Sequence, residues 1–495
     1  MASEHGLEPD LLDTDAAGPA AIRGGVLRLG SFAAGSLLSV VSAALMFRHL
    51  GLDDSGRYVT ILALVAVAGG VTDAGLAGIA VREYAQTGGA ARDAVMRQLL
   101  GLRIVLTVAG LGGAVVFALA AGYSGPMVLG TLVAGLALLI VALQSAYSVG
   151  LQAQLKLGAV AGADLARQVV NVVSVIVLVV LGAGLLPFYA ANVPAAIAAL
   201  AITVYYVRGS MPLRASFDVR RWGALLRDTV PYAVATAIGA IYFRLALILV
   251  SLISTAEETG YFGASFRGVE VLIVVPQLLV SSAFPIFARA ARDDLQRLSY
   301  AIGRVFAACL LLGLAVAIVL IVGAPFVIAV VAGPDFAPAE DVLRFHGLGL
   351  VASFVGAGWG YAALSLRRHR AILTVSISAL AVSAVLVGIL ASTHGAVGAA
   401  IGTAVAESLL AVGLAITIRR AGVPLGIDVG ETARVVGAGL VAVGAGLAAT
   451  QLLDVPSVLA TAGALVLYAG LVVALRAVPP EAAELMQGLR ARRSR

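Results

Sequence analysis

Three charges stand inside long apolar stretches of this chain: Arg244, Arg267 and Glu270. A charge at a bilayer centre costs roughly 2.5–3.5 kcal/mol on insertion scales, so it lines a hydrated cavity or pairs with a partner. The planar guanidinium fork of arginine matches the oxygens of a phosphate. Arg244 and Arg267, placed at one level of one cavity, would therefore hold a phosphorylated anion. Glu270 lies one helical turn from Arg267, a spacing that also suits a structural ion pair. A guanidinium near the end of a span can instead snorkel to the interface.

Other polar residues fall in the same setting. Asp73 lies in the inner half of an apolar segment beside Thr72 and Gly75, where it suits a coupling cation or proton, or an ion pair with a residue such as Arg28. Glu407 adjoins the stripe Gly398, Gly402 and Ala406, whose spacing marks close helix packing. It joins Glu270 and Asp73 as a coupling candidate, or bonds a neighbouring helix. Ser36, Ser39 and Ser42, with Gly35, make a narrow polar face that offers hydroxyls to a ligand or serves tight packing. Pro276 interrupts an apolar segment and should kink it, which suits a gate. The five histidines are scattered, and no HExxH or phosphate-cradling glycine loop is present. Cys309 stands alone, which excludes an intrachain disulfide and a cysteine-based metal site. The chain reads as a non-enzyme without a cofactor or metal.

What positions these residues is a membrane bundle. The 495 residues are 61% hydrophobic and 12% charged, more apolar surface than a soluble core of this size needs. Apolar runs recur from residue 26 to residue 475, near the 20-residue length that crosses a hydrocarbon core of about 30 Å. Backbone groups in lipid must be satisfied within the segment, so the runs are helices. Their Gly-, Ala- and Val-rich content without strict alternation argues against a barrel. About fourteen crossings are expected, near 26–47, 58–81, 99–121, 127–149, 165–186 and 188–207, then 230–252, 262–288, 301–323, 345–366, 372–391 and 396–418, then 433–452 and 457–475.

With the N-terminus placed in the cytoplasm, 28 of the 33 basic residues fall on the inside half of the zigzag, which satisfies the positive-inside rule. The even number of crossings returns the C-terminus to the same side. The net charge of +6 is therefore a topology signal and not a nucleic-acid footprint. Residues 1–22, with five acids and no apolar core, read as a disordered cytoplasmic tail and not as a signal peptide. The expected division is a first lobe over 23–210, a second over 211–420, two added helices over 421–476 and a basic tail over 477–495. The basic loop 208–229, with Trp222, Leu225 and Leu226 among its arginines, reads as a segment on the inner membrane surface.

The two lobes show a repeat. Asp53-Asp54-Ser55-Gly56-Arg57-Tyr58 follows the first segment, and Glu257-Glu258-Thr259-Gly260-Tyr261-Phe262 follows the seventh, 204 residues later. Acids and hydroxyls suit a helix N-terminus. Six helices per unit is an even number, so the halves share orientation and are related by an axis along the membrane normal, a recurring transporter plan.

The order of these motifs resembles a family. Arg48-His49-Leu50-Gly51, Gly56-Arg57-Tyr58, Asp73-Ala74-Gly75-Leu76 and Arg82, then Tyr242-Phe243-Arg244, Leu249, Glu258-Thr259-Gly260-Tyr261, Phe284-Pro285 and Ala288-Arg289, are similar to the Wzx-type oligosaccharide flippases. These belong to the multidrug/oligosaccharidyl-lipid/polysaccharide exporter superfamily. The resemblance covers roughly residues 24–476. It implies an all-α polytopic protein of the cell membrane that moves a polyprenyl-diphosphate-linked glycan to the outer leaflet for capsule or lipopolysaccharide synthesis. Its partners would be the lipid-linked glycan, membrane lipids and a glycan polymerase or glycosyltransferases. Such exporters often carry an Asp two residues after the arginine of the seventh helix; here that place is Ala246, so its coupling role does not carry over. The rival readings are a lipid II flippase, a drug/cation antiporter, a membrane glycan polymerase or ligase, and a non-transporting scaffold for glycan assembly.

Overall fold

The computed structural model describes residues 17–73, 75–209 and 211–477. The acidic stretch to residue 16 and the basic tail from residue 478 lie outside these residues. The helices are α1 (Ala17–Asp73), α2 (Leu76–Gln86), α3 (Gly89–Ala120), α4 (Gly125–Ala153), α5 (Leu157–Val180), α6 (Leu185–Ala190), α7 (Asn192–Val207) and α8 (Val219–Ile253). They continue as α9 (Ala256–Leu272), α10 (Val274–Asp293), α11 (Leu295–Val322), α12 (Ala324–Val331), α13 (Ala339–Ser365), α14 (His369–Arg420), α15 (Val429–Leu452) and α16 (Ser457–Ala474).

Twelve stretches among the described residues are long and apolar enough to cross a membrane. Two are twice the necessary length: Gly30–Asp73 with 44 residues and His369–Arg420 with 52. At about 1.5 Å per residue the second would be roughly 78 Å long as one rod, against a core of about 30 Å. Each contains a glycine in the left-handed region, Gly51 at φ 70° and Gly395 at φ 54°. In α14 the chain folds back there: a Cβ on Gly402 would stand 3.0 Å from the backbone nitrogen of Val387. Each long stretch is thus two crossings, and the described residues of this multi-pass membrane protein make fourteen.

Two crossings are broken in corresponding places. The second runs through the end of α1 and stops at Asp73; Gly75, at φ 67° and ψ 12°, turns the chain before α2 begins. The eighth is interrupted at Ile273, between α9 and α10, with Pro276 three residues into α10. Proline lacks an N–H and crowds the carbonyl four residues before it, which explains a break just upstream. With the repeat's 204-residue offset, the Asp73–Gly75 break falls about one turn past Ile273.

The chain forms two compact units that divide between Arg244 and Leu245, inside α8. In the first, Leu76, Tyr84, Met96, Leu102, Leu151 and Val207 share a core with Trp222. Trp222 was expected on a surface loop. It is only 7% exposed because α8 already starts at Val219 and its first turn packs on Gly101, where a Cβ would lie 3.3 Å from the indole. The side chains of Arg220, Arg221 and Arg227 lie outside the described ones. In the second unit α11, α13, α15 and α16 enclose Ile318, Val355, Ala442 and Tyr468. Cys309 is fully buried in α11.

Candidate functional site

Both broken crossings carry an arginine–carboxylate pair. In the first unit the pair is Arg103 of α3 with Asp73. The same guanidinium donates to the main-chain carbonyl of Asp73 at 3.2 Å. That carbonyl belongs to the last residue of α1, where Gly75 ends the ladder and leaves acceptors open; a cation there also answers the negative end of the helix dipole. Arg103 is 11% exposed and Asp73 32%. Asp73 thus has an arginine partner, Arg103, as one of its two readings had it; the side chain of Arg28, the example given there, lies outside the described ones.

In the second unit Arg267 donates to Glu270 at 2.6 Å, with side-chain exposures of 31% and 20%. The i,i+3 spacing on α9 brings the two together one turn before the break at Ile273. Arg267 stands farther along its helix than the sequence suggested. Thr255 caps α9 by accepting from the Glu258 N–H at 3.2 Å, so the helix starts at Ala256, six residues ahead of the apolar run. Arg267 therefore stands eleven residues into it, about 17 Å from its start. Arg244 lies nine residues before the end of α8, about 14 Å. Its guanidinium rests 5.1 Å from the ring centre of Phe243. Arg244 closes the first unit and Arg267 belongs to the second.

The serine face of the first crossing resolves into two parts. Ser42 is buried and donates to Asn171 Oδ1 at 3.1 Å; Asn171 Nδ2 donates to Asn192 Oδ1 at 3.0 Å. This polar ladder ties the first, fifth and sixth crossings, with the Ser42 hydroxyl as its first member. Ser36 and Ser39 are half-buried, and Gly35 packs on Gln168. Glu407 accepts from Ser353 Oγ at 2.5 Å, a bond between the twelfth and tenth crossings. It is joined there by close packing: a Cβ on Gly349 would lie 3.0 Å from the Cα of Ala404.

Three features of the structure were not read from the sequence. Arg103 is the first. The second is the turn side of each unit: His49 Nε2 bonds the Ala183 carbonyl at 2.8 Å, and Ser254 Oγ donates to the Ala391 carbonyl at 3.0 Å. In both units the turn after the opening crossing is thus tied to the turn between the fifth and sixth. Glu258 of the repeat adds a bond to the start of the twelfth crossing. The third is Ser265, fully buried and 2.7 Å from His346 Nδ1, a pair between the eighth and tenth crossings. The glycines at 51, 75 and 395 were the available signals for the breaks and turns.

A family model described as "Polysaccharide biosynthesis protein" matches residues 45–341. No curated protein matches the chain in sequence. Among solved structures, the fold is similar to the lipid II flippase MurJ in an inward closed conformation, with a TM-score of 0.72 and 12% identity over 92% of this chain and 99% of that one. It is also similar to an inward-facing multidrug resistance MATE family transporter of the MOP superfamily, with a TM-score of 0.65 and 16% identity over 80% of this chain and 98% of that one. A MOP superfamily transporter from Pyrococcus furiosus gives a TM-score of 0.56 and 18% identity over 84% of this chain and 99% of that one. The broken helices with their charge pairs thus sit in the multidrug/oligosaccharidyl-lipid/polysaccharide exporter fold, and the chain belongs to the polysaccharide biosynthesis protein family.

Proposed function

We propose that this protein is a flippase that carries a polyprenyl-diphosphate-linked oligosaccharide from the cytoplasmic to the outer leaflet of the cell membrane, with both termini cytoplasmic. The observation that carries this reading is the Arg267–Glu270 pair. It lies mid-span beside a helix break, yet a third of the arginine side chain is open. A charge pair open to hydrocarbon would pay the insertion penalty, so an open pair at this depth belongs to a hydrated vestibule. Broken helices in matching halves of a transporter are where substrate and coupling ions bind.

Arg267 exchanges Glu270 for a phosphate oxygen when the carrier arrives, and Arg244 is the first unit's own candidate for the diphosphate. Glu270, released, takes up a proton or cation and makes the exchange sensitive to a gradient. Asp73 and Glu407 are the further coupling candidates, Ser36 and Ser39 offer hydroxyls to the sugars, and the polyprenyl tail stays in lipid. Pro276 keeps the eighth crossing divided so that its two parts can move separately. Glycosyltransferases and a polymerase are the fitting partners. Reconstitution in vesicles with a fluorescent polyprenyl-diphosphate oligosaccharide tests this. Wild-type protein should flip it and Arg267→Ala should not; equal rates in the two would refute the reading.

A lipid II flippase is the second reading, favoured by the length of the match to MurJ. Offering lipid II in the same vesicles separates the two. A drug/cation antiporter would flip neither, and would move an organic cation against a proton gradient. A scaffold would move none of them.

A further inference from the structure

A groove of about 920 Å³ runs between the start of α5 and the end of α7. Its lining has two parts. The floor is Gly158, Ala159, Gly162, Ala201 and Ile202, without a polar side chain. The mouth holds Lys156, Tyr205 and Tyr206. Lys156 is exposed, is the sole lysine of the chain, and makes no ion pair among the described residues. Tyr205 and Tyr206 are 60% and 52% exposed in the last turn of α7. The guanidinium of Arg208 lies 4.5 Å over the Tyr205 ring, which adds a second positive charge beside the mouth. No carboxylate lines the groove.

We infer that this groove holds one anionic glycerophospholipid, its phosphate at Lys156 and one acyl chain along the floor. The charged end lies where two helices terminate, which is the level of the headgroups. Tyrosines favour that level because the ring is apolar and the hydroxyl wet. Below it the α5 face continues through the exposed Val169 and Val173, which share a helical face with Gly162 and give a chain an apolar track. The absence of an acid in the lining leaves nothing to hold the ammonium of a zwitterionic headgroup. A sugar-bearing carrier would need polar side chains past the phosphate, and the floor offers Gly, Ala and Ile alone. The inference needs only the membrane setting and does not depend on what the protein transports.

Two variants test it in the full chain. A Cβ at Gly162 meets nothing within 4 Å, so the side chain of Gly162→Leu starts in open space and grows into the trough. Lys156→Glu reverses the mouth and breaks no ion pair among the described residues. The protein is taken through bilayer discs of equal phosphatidylglycerol and phosphatidylcholine, released, and weighed by native mass spectrometry. Wild type should retain one phosphatidylglycerol at least tenfold over phosphatidylcholine. Lys156→Glu should lose that preference, and Gly162→Leu should lose bound lipid with an unchanged melting temperature. Equal retention of the two lipids overturns the inference, as does undiminished retention in both variants. Displacement by millimolar inorganic phosphate or by equimolar polyprenyl diphosphate also overturns it, since the first shows a bare anion site and the second a substrate site.

Discussion

The carboxylate of Glu258 accepts the backbone N–H of Ala396 at 2.6 Å, across 138 residues of sequence. It thereby caps the twelfth crossing just after the chain reverses at Gly395. The fit admits no side chain: a Cβ on Gly395 would collide with that carboxylate, and the residue sits at φ 54°. The contact joins the turn of the repeat to the hairpin of the eleventh and twelfth crossings.

Gly395→Ala should therefore destabilise the second unit by about 1–3 kcal/mol, from the left-handed backbone and the displaced cap together. Glu258→Ala should cost about 1 kcal/mol, as a lost N-terminal cap does. Thermal unfolding in detergent checks both. The pair should be less than additive, because removing the carboxylate also removes the collision.

Breaking the Arg103–Asp73 pair from one side should be worse than removing it whole. Arg103→Leu leaves a carboxylate against the end of α1 and should cost about 3 kcal/mol, whereas Arg103→Leu with Asp73→Leu should recover most of it. A double-mutant cycle read by denaturant unfolding of the purified protein decides this. Equal losses in the single and double variants would show that the guanidinium acts on the Asp73 carbonyl alone.

The fourteen crossings were legible because an apolar run of twenty residues in lipid has one solution, the helix. The repeat was legible for a similar reason, since acids and hydroxyls collect at helix starts. Depth was not. The polar residues Arg92, Asp93, Arg97 and Gln98 continue as helix ahead of the apolar run of α3, so Arg103 stands fourteen residues inside the helix although it is only four past the start of that run. Arg267 moved inward along its helix by the same effect, through the Thr255 cap. Partners at long range were also beyond reach. Asn171, Asn192 and Ser42 are polar residues in three separate apolar segments, and nothing in their spacing names them as one ladder.

Asn171→Leu should leave the Asn192 carbonyl oxygen and the Ser42 hydroxyl without their partner. Interhelical bonds of this kind are modest in membrane proteins, about 0.6 kcal/mol on average and up to about 1.7. The expected outcome is a small fall in melting temperature with flipping retained. Loss of flipping at normal stability would place the ladder in the transport pathway.

Arg267→Lys should keep a charge but lose the fork, and flipping of a diphosphate-linked lipid should fall at least tenfold while expression holds. Glu270→Gln should bind the carrier as well as wild type or better, since the competing carboxylate is gone, and should lose its response to an imposed proton gradient. Binding titrations and vesicle assays at matched protein content read the two effects separately.

Cys309 makes such movements measurable without a redesigned background. The lone thiol is walled off inside α11, so maleimide and nitroxide reagents should leave the native protein unlabelled. Cysteines introduced in pairs at exposed positions will then be the sole attachment points, and distances between spin labels on the two units can be followed as carrier, protons or lipid are added.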